Sequence, residues 1–285
     1  MTERTVRGAA PQAAASIGAS PPQVRARGRA VLRGMPRALT AGMLLETYAL
    51  SVAGRRTNNE DAVCAEPELG LFVVADGMGG YEGGEIASAL AVETIHSLVR
   101  RTAGGGDVIW PYAIDPQRSW TENEVIVAAR HAAEQIAVRR TGALREMGST
   151  VAILRLDGEH AVIGHVGDSR VYRLRGGALA QLTIDHSLSA ELERSGVKPD
   201  AHFAWRHVVT RALGTQVAEP EVQRAPIQRG DVFLLCSDGL SEVLEPERIA
   251  AMLSAPAEAA CRALVEAAYV AGSRDNISAI VVRVR

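Results

Sequence analysis

The stretch that most constrains the fold is a short apolar run that ends at an acid and a group of glycines. Leu71 to Ala75 are all apolar, and Asp76-Gly77-Met78-Gly79-Gly80 follows directly. A run this dense and short is typical of a strand covered on both faces. Glycine permits positive φ and a close approach of the backbone to a ligand, so the acid could hold a metal ion where the strand leaves the core. Asp-Gly is also the commonest hairpin dipeptide, and Asp76 taken alone fits a turn equally well.

Charge and composition divide the chain into two parts. Residues 1–44 are rich in Ala, Pro, Gly, Ser and Arg, and carry seven Arg against one acid, a net charge of +6. We expect a disordered basic tail there, with a targeting segment or a weak contact with an anionic surface as alternatives. Residues 45–285 carry a net charge of −8 and are predicted to form one domain. An acidic body argues against nucleic-acid binding.

The cysteines and the lack of long apolar stretches bear on cellular location. Cys64, Cys236 and Cys261 show no metal-finger spacing, and a scattered odd set is typical of buried thiols in a reducing compartment. No stretch approaches the ~20 apolar residues of a membrane-spanning helix. We therefore expect a cytoplasmic protein without a transmembrane segment, and separately we expect it to be a monomer.

The order of predicted elements indicates the fold class. They are strands at 48–52, 61–65 and 71–75, helices at 85–101 and 121–140, hairpins over 150–166 and 170–182, a short helix at 187–194, strands at 222–225 and 232–236, helices at 247–253 and 257–270, and a strand at 277–284. The second helix is predicted to open on a capping box, Thr121-Glu122-Asn123-Glu124, and Asp157-Gly158 is predicted to be an ordinary hairpin turn. Two sheets packed face to face, with a helix pair outside each, would bury these runs. We predict an α+β fold, a four-layer α-β-β-α sandwich of two central antiparallel sheets flanked by helix pairs.

Acids recur where predicted strands end beside small or turn-forming residues. They are Asp76, Asp168, Asp238 and Asp275, with Glu60-Asp61 as an acidic pair before the second strand. No His or Cys accompanies them at ligand spacing, and an all-oxygen donor set selects Mg²⁺ or Mn²⁺ over Zn²⁺. Gathered together, these carboxylates would repel one another unless cations neutralised them. Each acid alone fits a solvated turn, whereas the joint pattern favours a metal site.

Eight short motifs follow one another in an order that matches a known family. They are Arg56-x-x-Asn59-Glu60-Asp61, Ala75-Asp76-Gly77-Met78-Gly79-Gly80, Gly148-Ser149-Thr150, Gly167-Asp168-Ser169-Arg170, Thr183-x-Asp185-His186-Ser187, Thr210-Arg211-Ala212-Leu213-Gly214, Ser237-Asp238-Gly239-Leu240 and Asp275-Asn276. Together they resemble the metal-dependent serine/threonine protein phosphatases of type 2C (the PPM family) in their bacterial form. The resemblance covers residues 45–285 and implies the same sandwich of two sheets between helix pairs.

The resemblance also implies a set of site residues around two Mn²⁺ or Mg²⁺ ions and a third ion. The metal residues would be Asp76 as the bridge, the Gly77 carbonyl, Asp238 and Asp275 directly or through water, Glu60 through a bound water, and Asp168 with Asp238 at the third ion. Asp61 would orient a water molecule and Arg56 would hold the phosphate. The alternative for Arg56 is a surface ion pair with Glu60 or Asp61.

The implied reaction is hydrolysis of phosphoserine and phosphothreonine in proteins by a hydroxide that bridges the metals, opposing a bacterial Ser/Thr kinase. The alternatives are a catalytically silent phosphopeptide-binding protein and a hydrolase of small phosphate esters. Eukaryotic members have His after Asp-Gly, whereas Met78 here, as in bacterial members, cannot donate a proton, so the proton donor stays unassigned. We predict that His186 orders the turn after Asp185, and that residues 187–206 form a flap in which Phe203 and Trp205 contact a peptide or pin the flap down.

Overall fold

The computed structural model describes residues 43–80, 83–103, 110–198, 200, 205 and 208–285. The elements of these residues, in chain order, are β1 (Leu45–Val52), β2 (Asp61–Glu66), β3 (Leu71–Met78), α1 (Gly83–Thr102), α2 (Trp120–Arg139), β4 (Gly148–Ser149), β5 (Val151–Asp157), β6 (His160–Val166), β7 (Arg170–Arg175), β8 (Ala178–Gln181), α3 (Leu188–Arg194), β9 (Glu221–Pro226), β10 (Val232–Cys236), α4 (Asp238–Ser241), α5 (Pro246–Met252), α6 (Ala257–Val270) and β11 (Ile277–Val284).

Two antiparallel sheets form the centre of the molecule. One has the strand order β1-β11-β10-β7-β8, and the other has the order β2-β3-β5-β6-β9 with the short β4 paired to β3. Helices α1 and α2 cover the outer face of the β2–β9 sheet, and α5 and α6 cover the outer face of the β1–β8 sheet. The predicted α-β-β-α sandwich is confirmed.

The apolar run of β3 explains why the sheets stack. Leu71, Val73 and Ala75 point into the core under α1 and α2, while Phe72 and Val74 point into the core between the sheets. All five side chains are fully buried, as expected of a strand covered on both faces. β11 is covered in the same way, with Ala279 and Val281 under α6 and Ile280 and Val282 between the sheets.

The predicted N-cap of the second helix, Thr121, was wrong by two residues. Ser119 is the N-cap: its Oγ accepts from the backbone N–H of Glu122, and the Glu122 carboxylate accepts from the backbone N–H of Ser119. Ser119-x-x-Glu122 and Thr121-x-x-Glu124 both fit the capping-box pattern. Glu124 cannot act as the capping acid because it is buried and ion-pairs with Arg155 at 2.8 Å.

Two residues of the predicted tail, Met43 and Leu44, contact the domain. Met43 packs against the core between the sheets, and Leu44 exchanges backbone hydrogen bonds with Arg285. The rest of the predicted basic tail, residues 1–42, lies outside the described residues, so its disorder stays a prediction. Within the described ranges, no helix is long and apolar enough to cross a bilayer.

Candidate metal centre

The predicted acids converge at one end of the sandwich, where elements of both sheets meet. Asp61 on β2 lies directly opposite Asp76 on β3 in the antiparallel register. Asp238 is the first residue of α4, immediately after β10, and Asp275 precedes β11. Asp168 lies in the connection between β6 and β7. Residues far apart in the sequence are thus brought to a single acidic end.

The sequence suggested that Asp76 stands where a strand ends, but the structure places it inside β3. β3 continues to Met78 because β4 pairs with its last residues, with Ser149 opposite Gly77. The backbone N–H of Asp76 donates to Thr150 Oγ1 at 3.1 Å, and the backbone N–H of Thr150 donates to the Asp76 carbonyl at 2.8 Å. A paired backbone on both sides holds this carboxylate on rigid structure.

Electrostatics show how closely the carboxylates are grouped around Asp76. Burial raises the pKa of Asp76 well above its ordinary value, and the negative charges of Asp61, Asp238, Asp168 and Asp275 raise it further. A charged group near like charges in a poorly solvated place favours its neutral form. The same arrangement would favour a bound cation, since a cation removes the repulsion.

Asp61 is buried, and only one of its two carboxylate oxygens has a hydrogen-bond partner among the described residues. Its Oδ2 accepts from Ser237 Oγ at 2.8 Å, while its Oδ1 has no hydrogen-bond partner among the described residues. Burial, with the nearby charges of Asp238 and Asp275, raises the pKa of Asp61. An unpartnered buried oxygen is costly unless something positive approaches it.

Asp238 and Asp168 face a shared polar cavity of about 250 Å³, which Arg170, Asp185 and Ser241 also help to line. Burial and the negative charges of Glu242 and Asp275 raise the pKa of Asp238 to about 6, and its Oδ1 is buried without a hydrogen-bond partner in the described part of the chain. Burial and the charge of Asp238 raise the pKa of Asp168 to about 7. These two acids therefore lie close together, as the third-ion prediction requires.

Gly77 and Glu60 are packed too tightly for larger residues. A Cβ on Gly77 would overlap the carbonyl oxygen of Gly84 and lie 2.8 Å from that of Glu60. The Gly77 N–H donates to the Glu60 carbonyl at 3.1 Å. A Cβ on Gly84 would in turn lie 2.8 Å from the Glu60 carboxylate. The glycines let the backbones of β3 and α1 approach the loop that carries Glu60.

Arg56 lies at the exposed rim of the acidic group. Its Nη2 forms an ion pair with Asp275 Oδ2 at 2.8 Å, and its Nε donates to the Arg274 carbonyl at 3.1 Å. The alternative pairing with Glu60 or Asp61 is therefore not the one adopted. The contact places a guanidinium beside the predicted metal ligands and leaves further N–H donors for an anion.

Sequence analysis did not identify Asn276, whose side chain links the β1–β2 loop to the loop of Asp275. Asn276 is buried; its Oδ1 accepts from the Glu60 N–H at 2.8 Å, and its Nδ2 donates to the carbonyls of Ala53 and Asn58. The amide thus fixes the β1–β2 loop against the loop of Asp275. Its position directly after an acid in a short motif was the available signal.

His186, predicted to order the turn after Asp185, is hydrogen-bonded there through its backbone. Its backbone carbonyl accepts from Thr210 N–H at 2.8 Å, and its backbone N–H donates to the Gly167 carbonyl at 3.0 Å. A second cluster, not predicted, surrounds its ring: within the described ranges, His165, His186 and Glu221 place ligand-type atoms within 4.8 Å of one another. Of the predicted flap, Trp205 is exposed, and Phe203 lies outside the described residues.

Comparison with known proteins places the chain in a family. The protein phosphatase 2C family model matches residues 51–272. Serine/threonine protein phosphatase PstP of Mycobacterium tuberculosis is 35% identical over 231 residues, which are 79% of this chain and 42% of PstP. Protein phosphatase PhpP of Streptococcus pneumoniae is 32% identical over 246 residues, 81% of this chain and 94% of PhpP.

A solved structure agrees with the architecture described above. It is that of the catalytic domain of PstP in complex with two manganese ions, with a TM-score of 0.73 and 32% identity over 85% of this chain and 99% of that domain. The chain thus spans less than half of PstP but nearly the whole of its catalytic domain. By its sequence match and its two-sheet sandwich, the chain belongs to the protein phosphatase 2C family.

Proposed function

We propose that this protein is a metal-dependent protein phosphatase that hydrolyses phosphoserine and phosphothreonine. The observation that carries the proposal is the convergence of Asp61, Asp76, Asp168, Asp238 and Asp275 at one end of the sandwich, where each of the first four has a raised pKa. Like-charged groups held this close are maintained at a cost in stability, which indicates a functional site.

The donor set fits divalent cations. Asp61 Oδ1 and Asp238 Oδ1 are buried without a hydrogen-bond partner in the described residues, and the ligand-type atoms of the acids are all oxygens. Such sets suit Mn²⁺ or Mg²⁺. When bound, two such ions would supply the positive charge that activates a water molecule as the nucleophile.

We assign the ions to residues as follows. Asp76 would bridge the two core ions, the Gly77 carbonyl would bind one, and Asp238 and Asp275 would bind the other directly or through water. Glu60 would act through a bound water, and Asp61 would orient one. Asp168 with Asp238 would hold the third ion. This assignment is supported by the shared charge environment of Asp76 and by the short space between Gly77 and the Glu60 loop.

Arg56 would bind the substrate phosphate. Its guanidinium is exposed yet held by Asp275 and the Arg274 carbonyl, so it loses little conformational freedom on binding an anion. A guanidinium presents parallel N–H donors that match two phosphate oxygens and offset their charge as it builds up. Met78 is partly exposed beside the site but has no proton to donate, so the leaving oxygen takes its proton from elsewhere.

The substrates would be proteins phosphorylated by a bacterial Ser/Thr kinase, which makes this a signal-transduction enzyme. The names of the relatives PstP and PhpP support a protein substrate. Three cysteines without disulfide bonds support a reducing, cytoplasmic location. We further propose that the protein acts as a monomer through residues 45–285, with residues 1–44 as a basic tail.

The test compares substrates and metals in one assay. Purified full-length protein is offered a phosphothreonine peptide or p-nitrophenyl phosphate, with Mn²⁺ or with EDTA, beside Asp238→Asn. We expect Mn²⁺-dependent hydrolysis that favours the peptide and is lost in the variant. Equal or better turnover of the small ester would favour the small-ester hydrolase. Peptide binding without turnover in Mn²⁺ would favour a silent phosphopeptide-binding protein.

A further inference from the structure

His186 is hydrogen-bonded to the backbone of Gly167, the residue that precedes Asp168. The Gly167 N–H donates to His186 Nδ1 at 3.1 Å, and the His186 backbone N–H donates to the Gly167 carbonyl at 3.0 Å. Both backbone polar groups of Gly167 are thus bonded to the same residue, His186, which is fully buried. The direction in which the chain enters Asp168 is therefore set by His186.

Gly167 has little freedom of its own. Its φ is +102°, in the region that favours glycine, and a Cβ there would lie 2.7 Å from the Thr150 side chain. Thr150 is itself bonded to Ser169 through their hydroxyls at 2.7 Å. The two sides of Asp168 are thus held by Thr150 and by His186, and removing the imidazole acceptor would leave only the backbone bond from residue 186 to the Gly167 carbonyl on one side.

The imidazole is oriented by a charged pair on its far side. Since Nδ1 accepts from Gly167, the ring proton is assigned to Nε2, which donates to Glu221 Oε1 at 3.1 Å. Arg211 Nη1 lies 2.9 Å from the same oxygen and neutralises Glu221. The ring stacks on His165 at 4.6 Å between centroids, and burial lowers the pKa of His186 to about 4, so the ring stays neutral.

A metal ion at this cluster is the competing interpretation, since His165, His186 and Glu221 lie within ligand distance of one another. However, Nδ1 of His186 is occupied by Gly167, and His165 Nε2 lies 2.7 Å from the Ile184 carbonyl. The Arg211 guanidinium, 3.3 Å from His186 Nε2, occupies the place that a cation would need. The arrangement is that of a hydrogen-bonded support with its own cation.

We propose that His186, oriented by Glu221 and Arg211, is a positioning residue that holds Asp168 at the third divalent-cation site. The proposal rests on the proposed function in taking Asp168 as a metal ligand. It assigns to the Thr-x-Asp-His-Ser motif the task of fixing a ligand carried by the Gly-Asp-Ser-Arg motif. His186 acts through the backbone of Gly167. Loss of this contact should therefore weaken the binding of the ion held by Asp168 and leave the binding of the other two ions unchanged.

A matched pair of variants isolates the contact. His186→Asn places Oδ1 where Nδ1 was and keeps the acceptor for Gly167, whereas His186→Gln keeps only a donor towards Glu221. We would titrate Mn²⁺ alone into the full-length protein and follow it by calorimetry and by the EPR signal of free Mn²⁺. We expect the site that Asp168→Asn removes to lose about tenfold in affinity in His186→Gln, a size typical of outer-shell partners. His186→Asn should stay within about threefold of wild type at that site.

Three results would overturn the proposal. They are equal Mn²⁺ affinities in the two variants, equal weakening of every site in His186→Gln, and no loss of a Mn²⁺ ion in Asp168→Asn. Glu221→Gln, at a half-exposed position, serves if His186→Gln does not fold: we expect about threefold weakening of the same site, and none would count against the proposal. Tight Zn²⁺ binding to wild type that Glu221→Gln abolishes would identify the cluster as a metal site instead.

The readout also separates this proposal from the proposed function. Mn²⁺ binding is measured without substrate, so a protein that binds three ions with the expected variant pattern yet hydrolyses no phosphopeptide would refute only the phosphatase assignment. Full peptide turnover with identical Mn²⁺ titrations in His186→Asn and His186→Gln would refute only the role of His186.

Discussion

Two Asp-Gly dipeptides lie at opposite ends of the β2–β9 sheet, and their surroundings differ. Asp157-Gly158 closes the hairpin between β5 and β6, where Gly158 has φ +58° and open space around it. The Asp157 carboxylate accepts one hydrogen bond from Thr121 Oγ1 at 2.5 Å. Asp76-Gly77 lies within β3, among four other carboxylates, and a Cβ on Gly77 would overlap backbone.

The difference shows that the dipeptide does not decide its own role. At the Asp157 end the glycine is needed for its positive φ, which a hairpin of this kind requires. At the Asp76 end the glycine is needed because β3, α1 and the Glu60 loop come into contact there. The two ends of the sheet differ in how closely residues from other parts of the chain pack around the dipeptide. This crowding should affect catalysis, stability, substrate binding and the response to pH.

The largest expected effect is on catalysis. Asp76→Asn should reduce kcat/KM for a phosphothreonine peptide by about a thousandfold, or ~4 kcal/mol, since an amide cannot neutralise two cations. Asp157→Asn, the matched change at the other end, should stay within about twofold. Steady-state assays in saturating Mn²⁺ would check both, with circular dichroism to verify folding. Similar losses in the two variants would remove the distinction between the ends.

The next effect is on stability. Gly77→Ala must displace the Gly84 and Glu60 backbones, and we expect a loss of at least ~3 kcal/mol in the free energy of unfolding. Gly158→Ala should cost only ~1–2 kcal/mol, the strain of a left-handed alanine in open space. Urea unfolding of the two variants and wild type gives the comparison. A smaller loss for Gly77→Ala than for Gly158→Ala would contradict the crowding described here.

Arg56 extends the comparison to substrate binding at the acid-rich end. Arg56→Ala should lower kcat/KM about 30-fold, because a charge-assisted bond to phosphate contributes ~2 kcal/mol. Its neighbour Arg55 contacts the Tyr269 ring at 5.1 Å and donates to the Tyr269 carbonyl, so Arg55→Ala is the control and should change kcat/KM less than about twofold. Unchanged kcat/KM in Arg56→Ala would refute its assignment to the phosphate.

Much of this molecule could be predicted from its sequence because the apolar runs are long and separated by clear turns. β10, α6 and β11 have their predicted bounds, and the two-faced burial of β3 followed from its unbroken apolar composition. The extension of β3 to Met78 could not be foreseen, since it depends on pairing with the two-residue β4. Pairing between strands that are far apart in the sequence decides such details, and it is a property of the folded molecule.

The site, like the fold, could be predicted only where a local sequence pattern marks it. The acids could be named from their motifs, but not the support around them. Asn276 bridges loops more than 200 residues apart in sequence, and His165 stacks on His186 only because β6 passes beneath that turn. No local pattern marks a buried amide or a stacked imidazole as part of a site. Contacts across the two sheets determine these roles.

The smallest predicted effect distinguishes the two ends by their response to pH. The folded-state pKa of Asp168 is raised to about 7 from an ordinary 3.8, so the metal-free folded protein binds more protons than the unfolded chain between about pH 4 and 7. Its stabilising contribution is present below this window and is lost as pH rises through it. Melting temperatures in EDTA should therefore fall from pH 5 to pH 7.5, by about 2–4 °C for each ~1 kcal/mol lost.

Variants at the two ends of the sheet show which end causes the fall in melting temperature between pH 5 and pH 7.5. Asp168→Asn removes one of the titrating groups and should make the decline less steep, whereas Asp157→Asn should leave it as in wild type. Saturating Mn²⁺ should also flatten it, because a bound cation replaces the protons that the grouped carboxylates would otherwise take up. A melting temperature that rises between pH 5 and pH 7.5 in EDTA, or a slope that Asp157→Asn alone removes, would mean that the grouped acids are not under the electrostatic strain that distinguishes them from the hairpin.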